Sequence, residues 1–404
     1  MGEASLTRHC FEGPVMTIAK SPNANTPGKA VSETGDPLLL TPGPLTTSRS
    51  VKAAMLHDWG SRDAAFVQIN REVMERLPGI VNAADTHVTV PMQGSGTFAV
   101  EAMLTTFVPR QGEVLLLING AYGQRAKKIL EIGGRRVVVH ETAEDTRPDL
   151  AVVERILAST PSITHVFAVH CETTSGILNP VQEIGALAAK YGRSYLIDSM
   201  SAFGALPLDA NAAHADAIAA SSNKCVEGIP GLGFVICRKE ALAAAKGNAT
   251  TLVLDLHDQR AAFEKTGQYR FTPPIHVIVA FHQALTEFFA EGGQPGRLAR
   301  YADNCRVLID GMRALGFRTL LPDGLQAPII VTFHMPADPR FGFQRFYDAL
   351  KARGYVIYPG KLTVADSFRI GCIGRLDRTH MQGALAAIRG VLEEFGMSTA
   401  AMAA

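Results

Sequence analysis

The chain has 404 residues, 47% of them apolar, which is enough for one large α/β domain and a smaller one. A formal net charge of +1 gives no general field to draw in nucleic acid or an anionic membrane surface. No basic run is interleaved with aromatic residues and no nucleic-acid motif is present, so neither partner is expected.

Residues 1–36 are rich in Ser, Pro, Asn, Gly and Thr without a sustained period, and read as a mobile N-terminal arm. The first 15 residues contain Arg8 and His9 but no apolar h-region, so no signal peptide is expected. No apolar run reaches the roughly 18 residues needed to cross a bilayer. Leu38-Leu39-Leu40 is an apolar run stopped by Pro42, Gly43 and Pro44, and segment 37–50 is expected to pack with the small domain. Ser50 to Gly79 reads as helix, interrupted by His57-Asp58-Trp59-Gly60-Ser61-Arg62-Asp63. That polar interruption is a site wall, a subunit contact or a solvated connector.

Val88 to Gln93 is strand-like and leads into Gly94-Ser95-Gly96-Thr97, after which apolar residues recur at helical spacing to Val108. In a strand–glycine turn–helix unit the first helical amides point into the turn, where the helix dipole favours an anion. Ser95 and Thr97 add hydroxyl donors, although the same four residues also suit an ordinary N-cap. The third glycine of the dinucleotide fingerprint is missing. Strands at 114–118, 136–140, 163–170, 195–198 and 215–220 then alternate with helices at 124–133, 149–158 and 180–191. This pattern predicts parallel βαβ units in a doubly wound α/β sheet, with the turns near 94, 119, 172, 198 and 223 gathered along one edge.

The last of these turns, Ser221-Ser222-Asn223-Lys224-Cys225, runs into a Gly/Pro-rich stretch, Gly228 to Gly233, and an apolar run, Phe234 to Cys237. Small neighbours leave room for a bulky group on the Lys224 nitrogen. A partly desolvated lysine can lose its proton and form an imine with an aldehyde. Alone, it reads rather as a surface lysine beside a loop. The apolar run Tyr195-Leu196-Ile197 ends in Asp198, which puts a carboxylate at the sheet edge where open α/β sheets bind ligands.

Residues 250–275 carry Lys265 to Pro274, and a helix follows through Phe288. The pattern changes after Gly292-Gly293 and Pro295, so a large domain over 37–290 and a small C-terminal α/β domain over 291–404 are expected. The six cysteines, Cys10, Cys171, Cys225, Cys237, Cys305 and Cys372, show no CxxC pair and no zinc or disulfide spacing. Reduced thiols and a cytoplasmic protein fit that usage, and no metal site is expected.

An imine-forming lysine, an acid and an anion cradle meet the needs of one cofactor, pyridoxal 5′-phosphate. Its aldehyde would join Lys224, its phosphate would rest on Ser95, Gly96 and Thr97, and Asp198 would pair with the ring nitrogen. Tyr122 offers a flat face to the ring and Thr173 a hydroxyl. Taken singly, each also suits a structural role.

The chain resembles the fold-type I pyridoxal-phosphate enzymes of class V from about Leu38 to Leu392. The resemblance is carried by Leu38 to Thr46, Gln93 to Thr97, Ala99 to Ala102, Asn119 to Gly123, His170 to Gly176, Ile197 to Ser199 and Asn223-Lys224-Cys225. It continues through Arg270-Phe271-Thr272, Tyr358-Pro359-Gly360-Lys361 and Phe368 to Gly371. It implies a homodimer with sites at the subunit interface, Asn223 beside the cofactor, and Tyr269 and Thr272 reaching the cofactor phosphate of the other subunit. It also assigns Arg369 to the substrate's anionic group. The bare residue admits an internal salt bridge instead, and Arg62 is a second candidate for the anion. Within the class, the pattern implies amino transfer from 2-aminoethylphosphonate to pyruvate. Transfer from alanine or serine to glyoxylate is the alternative. Cysteine desulfuration is disfavoured, since no cysteine falls in a loop facing the site. A binding protein on the same fold would not need the Lys224–Asp198 pair.

Overall fold

The computed structural model describes residues 29–361 and 365–397. Seven strands form the main sheet in the order His87–Gln93, Leu232–Arg238, Ala217–Ser221, Ser194–Asp198, His165–Val169, Glu113–Ile118, Arg136–Glu141. All pairings are parallel except those of Leu232–Arg238, which runs antiparallel to both neighbours. The exception has a simple cause. The segment from Ser222 to Gly231 contains no crossover helix, and without one the chain can only return antiparallel.

Side-chain alternation explains why both faces are covered. Leu115, Leu117, Val166, Ala168 and Ile197 face one layer, built from Phe66, Val73, Val153, Leu157, Ile184 and the helix Ile275–Ala290. Val114, Leu116, Ile118, Phe167, Val169 and Leu196 face the other, built on the helices Gly96–Phe107 and Ala121–Ile132. Each fully buried Leu, Val or Phe contributes roughly 1.5–3 kcal/mol, so strands apolar on both faces are stable only inside such a sandwich. The fold is the doubly wound α/β architecture expected from the strand–helix alternation.

A second, three-stranded antiparallel sheet contains Ile330–His334, Ser367–Gly371 and Tyr358–Pro359. It packs with the helices Gly293–Ala314, Phe343–Ala352 and Arg378–Glu394 through Leu308, Met312, Phe333, Phe346, Phe368, Ile388 and Leu392. Pro295 sits in the first turn of Gly293–Ala314, where its missing N–H costs nothing. Leu38–Leu39, near the start of the chain, pairs parallel with Tyr355–Val356 and joins this second core.

One reading needs correction, and one helix was not foreseen. Residues 29–36, expected to belong to a mobile arm, are held in place: the Ala30 amide donates to Arg353 O at 3.0 Å, and Asp36 pairs with Lys52 at 2.6 Å. Their polar side chains fix turns rather than free the chain. Residues 1–28 lie outside the described residues. The helix Leu256–Thr266, capped by Asp255, had no apolar stripe strong enough to read. No helix among the described residues is long and apolar enough to cross a membrane.

Candidate active site

The five parallel strands whose carboxyl ends are Gln93, Ile118, Val169, Asp198 and Ser221 bring their following turns to one edge of the sheet. A cavity of about 450 Å³ opens there, lined by Ser95, Gly96, Thr97, Tyr122, Asp198, Asn223 and Lys224. A smaller adjoining space is bounded by Thr173 together with Tyr122, Asp198 and Lys224. Residues far apart in the chain thus meet because the sheet order puts their strands side by side.

Each wall has a local cause. Gly94 takes φ +116°, a conformation that glycine adopts freely, and its amide donates to Gly231 O at 2.9 Å. Ser95 is the N-cap of Gly96–Phe107 without a side-chain capping bond, so the first amides of this helix are left for something in the cavity. A Cβ on Gly96 would lie 2.3 Å from Met200 Sδ, and one on Gly43 would lie 2.7 Å from Lys224 Nζ. The Ser221 hydroxyl lines the same cavity, buried and without a hydrogen-bond partner.

Lys224 Nζ donates to Pro42 O at 2.7 Å. Burial pushes its amine down to about 8, with Arg369 adding to the shift while Cys225 and Asp198 oppose it. Burial raises the Asp198 carboxyl to about 6, and the nearby Glu172 raises it further. The Met200 amide, which donates to Asp198 Oδ1 at 2.9 Å, acts in the opposite sense, as do Arg125 and Lys224. Two titratable groups of opposite kind are thus both displaced toward neutrality in one cavity, a pattern typical of functional sites.

Arg369 is buried in the strand Ser367–Gly371, with Nε donating to Pro359 O at 3.1 Å and Nη1 to Thr173 O at 2.9 Å. Among the described residues no carboxylate forms an ion pair with it. The internal salt bridge admitted from the sequence is therefore not what holds it. Arg62, Tyr269 and Thr272 are not in the Lys224 cavity. They line a separate one of about 350 Å³ with Ser61, Phe66 and Phe271. The Tyr269 hydroxyl is buried there without a partner.

Residues 47–337 match the family described as Aminotransferase class-V. The chain belongs to this family. The 2-aminoethylphosphonate–pyruvate transaminase of Pseudomonas fluorescens (strain Pf-5) is 56% identical over 359 residues, 89% of this chain and 97% of that one. Its namesake from Cupriavidus taiwanensis is 53% identical over 362 residues, covering 90% and 96%. The crystal structure of pyridoxamine-pyruvate aminotransferase from Mesorhizobium loti superposes with a TM-score of 0.83 at 25% identity, covering 91% of this chain and 94% of that one.

This class-V aminotransferase also carries site residues that the sequence reading left without a role. Arg125 lies with its guanidinium 4.9 Å from the Tyr122 ring centroid and donates to Thr97 Oγ1 at 3.1 Å. Its spacing of three from Tyr122 on one helix was the available signal. Glu172 is fully buried and accepts from the Tyr122 amide at 3.1 Å and from the Thr174 hydroxyl at 2.5 Å. It thereby caps the helix Ala121–Ile132, which carries Tyr122, while burial pushes its carboxyl up. A Cβ on Gly120 would lie 2.4 Å from the Glu172 carboxylate carbon. Gly120→Ala is therefore expected to lower stability by about 1–3 kcal/mol, read as a drop in the urea midpoint. An unchanged midpoint would show that Glu172 swings aside freely.

Behind the lysine loop lies a buried ionic network. Glu227 contacts Arg300 at 2.7 Å, Arg297 at 3.3 Å and the Tyr301 hydroxyl at 2.5 Å, and Glu291 contacts both arginines. Arg297 also donates to Cys225 O, the carbonyl next to Lys224. The loop is thus fixed from the rear by the helix Gly293–Ala314.

Proposed function

We propose that this aminotransferase uses pyridoxal 5′-phosphate to move the amino group of 2-aminoethylphosphonate to pyruvate, giving phosphonoacetaldehyde and L-alanine, as a cytoplasmic homodimer. The observation that carries the reading is Lys224 and Asp198 lining one cavity with the open helix start at Ser95–Thr97. The cavity suits the cofactor. A Cβ on Gly94 or Gly96 would run into Phe98 or Met200, and the Ser221 hydroxyl is a buried donor without a partner. Ser95, Gly96 and Thr97 would hold the phosphate, Asp198 the ring nitrogen, Tyr122 the ring face and Thr173 the ring hydroxyl, with Asn223 beside Lys224.

When bound, this group withdraws electrons from the substrate carbon that carries nitrogen. The protein's own work is to place and move protons. Lys224 Nζ, its amine already lowered by burial, would take a proton from that carbon and return one as general acid. Asp198, brought close to a cation, would ionise and hold the ring nitrogen protonated. Arg369, with no acid partner among the described residues, would bind the phosphonate in one half-reaction and the pyruvate carboxylate in the other.

The dimer is supported by a patch beside the cradle. Phe98, Val253 and Phe271 are exposed and share a groove with Tyr269. Covering it with a second copy would bury apolar surface and bring Tyr269 and Thr272 to the neighbouring cradle. Arg62, in the cavity with those two residues, would then be a second substrate-anion contact from across the interface.

A donor panel tests the substrate. The holoenzyme is mixed in single turnover with 2-aminoethylphosphonate, L-alanine and L-serine, and the cofactor absorbance is followed. Fast conversion by 2-aminoethylphosphonate is the expected result, and conversion by serine with none by the phosphonate would defeat the reading. Arg369→Ala is expected to lower kcat/KM for the phosphonate donor and for pyruvate by roughly 10- to 100-fold, the effect of losing a hydrogen-bonded charge. Loss toward only one of the two substrates would remove Arg369 from its shared role.

A further inference from the structure

The motif Tyr358-Pro359-Gly360-Lys361 carries part of the family resemblance, but its lysine has no role in the reaction proposed above. Tyr358 pairs across the small sheet with Arg369, and Pro359 O accepts from Arg369 Nε. The next turn is drawn tight: the Gly360 amide donates to Ser367 O at 2.9 Å, and a Cβ on Gly360 would lie 2.3 Å from that oxygen. This geometry directs Lys361 back over the site. Its Nζ lies 5.5 Å from the Tyr122 ring centroid, and among the described residues no carboxylate pairs with it. The residue is exposed, so it borders the mouth rather than the floor. Burial lowers its amine, and the charges of Arg125 and Arg369 lower it further, so it shares one field with the buried guanidinium.

The charge of the ligand gives this second cation a purpose. A phosphonate, like a phosphate monoester, can carry a second negative charge and offers three acceptor oxygens. A carboxylate carries a single charge on two oxygens. Arg369 presents one planar fork, two of whose nitrogens already donate to Pro359 O and Thr173 O. Its remaining donors match a carboxylate and leave part of a phosphonate unmet. Arg125 is spoken for on the cradle side by Thr97.

We propose that Lys361 is the second cation of the substrate-anion site, pairing with the phosphonate oxygens that Arg369 leaves free and setting the preference for phosphonate over carboxylate. This rests on the reading of the Lys224 cavity given above, and its test uses ligands that need not react. Ethylphosphonate and propionate are titrated into holoenzyme, and binding is read from the cofactor absorbance. Wild type is expected to bind ethylphosphonate more tightly than propionate. Lys361→Met is expected to weaken ethylphosphonate roughly tenfold and propionate by no more than about twofold, with Lys361→Arg restoring most of the difference. Equal weakening of both ligands, or of neither, overturns the assignment, as does a wild type with no phosphonate preference. Tight ethylphosphonate binding without turnover of 2-aminoethylphosphonate would defeat the proposed reaction and leave the role of Lys361 standing.

Discussion

Lys224→Ala is expected to yield a folded protein whose amino-transfer rate falls by about 10⁴-fold, the upper end of what a positioned acid–base group supplies. Among the described residues it is the one lysine lining the cavity, and no other residue of that lining can both bind an aldehyde and carry a proton. The fold should survive, because the surrounding loop is held by Glu227, Arg297 and Arg300 rather than by the lysine. The cofactor-free protein offers a second readout. The Lys224 amine sits at about 8 in the folded state against an ordinary value of 10.5, so the unfolded chain binds the extra proton between those values. Burying the charged form costs the folded state about 3 kcal/mol below pH 8, and the cost fades as pH rises toward 10.5. Wild type should therefore gain stability relative to the alanine variant across that window. Near-normal turnover in the variant, or a stability difference flat with pH, would remove Lys224 from the centre of the account.

Asp198→Asn is expected to cut the rate by roughly 10- to 1000-fold while leaving the backbone unmoved. The amide oxygen can still accept from the Met200 N–H, so the turn after the strand keeps its shape. What is lost is the negative charge. An adjacent opposite charge shifts a titrating group by about 1–3 units, or about 1.4–4 kcal/mol, and that support for a protonated ring nitrogen disappears with the carboxylate. Single-turnover rates with 2-aminoethylphosphonate, together with cofactor affinity, measure it. A variant as fast as wild type would mean that the carboxyl, raised to about 6 by burial, stays neutral and structural in the working enzyme.

The main sheet was legible because its strands are short and apolar on both faces, such as Val114 to Ile118, and because each is followed by a polar turn. Lys224, Asp198 and the glycine turn stood out for the same reason: a lysine, an acid or a small-residue run is conspicuous at the end of a buried strand. Glu172 was harder. It stands beside Cys171 and two threonines, and nothing local says that its partner is a helix start 50 residues earlier. The Glu227–Arg300 contact spans 73 residues, and a charged pair at such separation leaves no periodic trace. Tyr269 and Thr272 were singled out by family resemblance alone and Arg62 by the polar loop that holds it, and nothing local says that the three line one cavity.

The pairing of Leu38–Leu39 with Tyr355–Val356 has a consequence for biosynthesis. This strand, the first among the described residues, emerges from the ribosome long before its partner exists. The main sheet can close on its own contacts, whereas Leu38 and Leu40 must wait as exposed apolar residues until almost the whole polypeptide has been made. Nascent chains stalled before Tyr355 should accordingly be bound by chaperones at that leucine run, and released chains should not be.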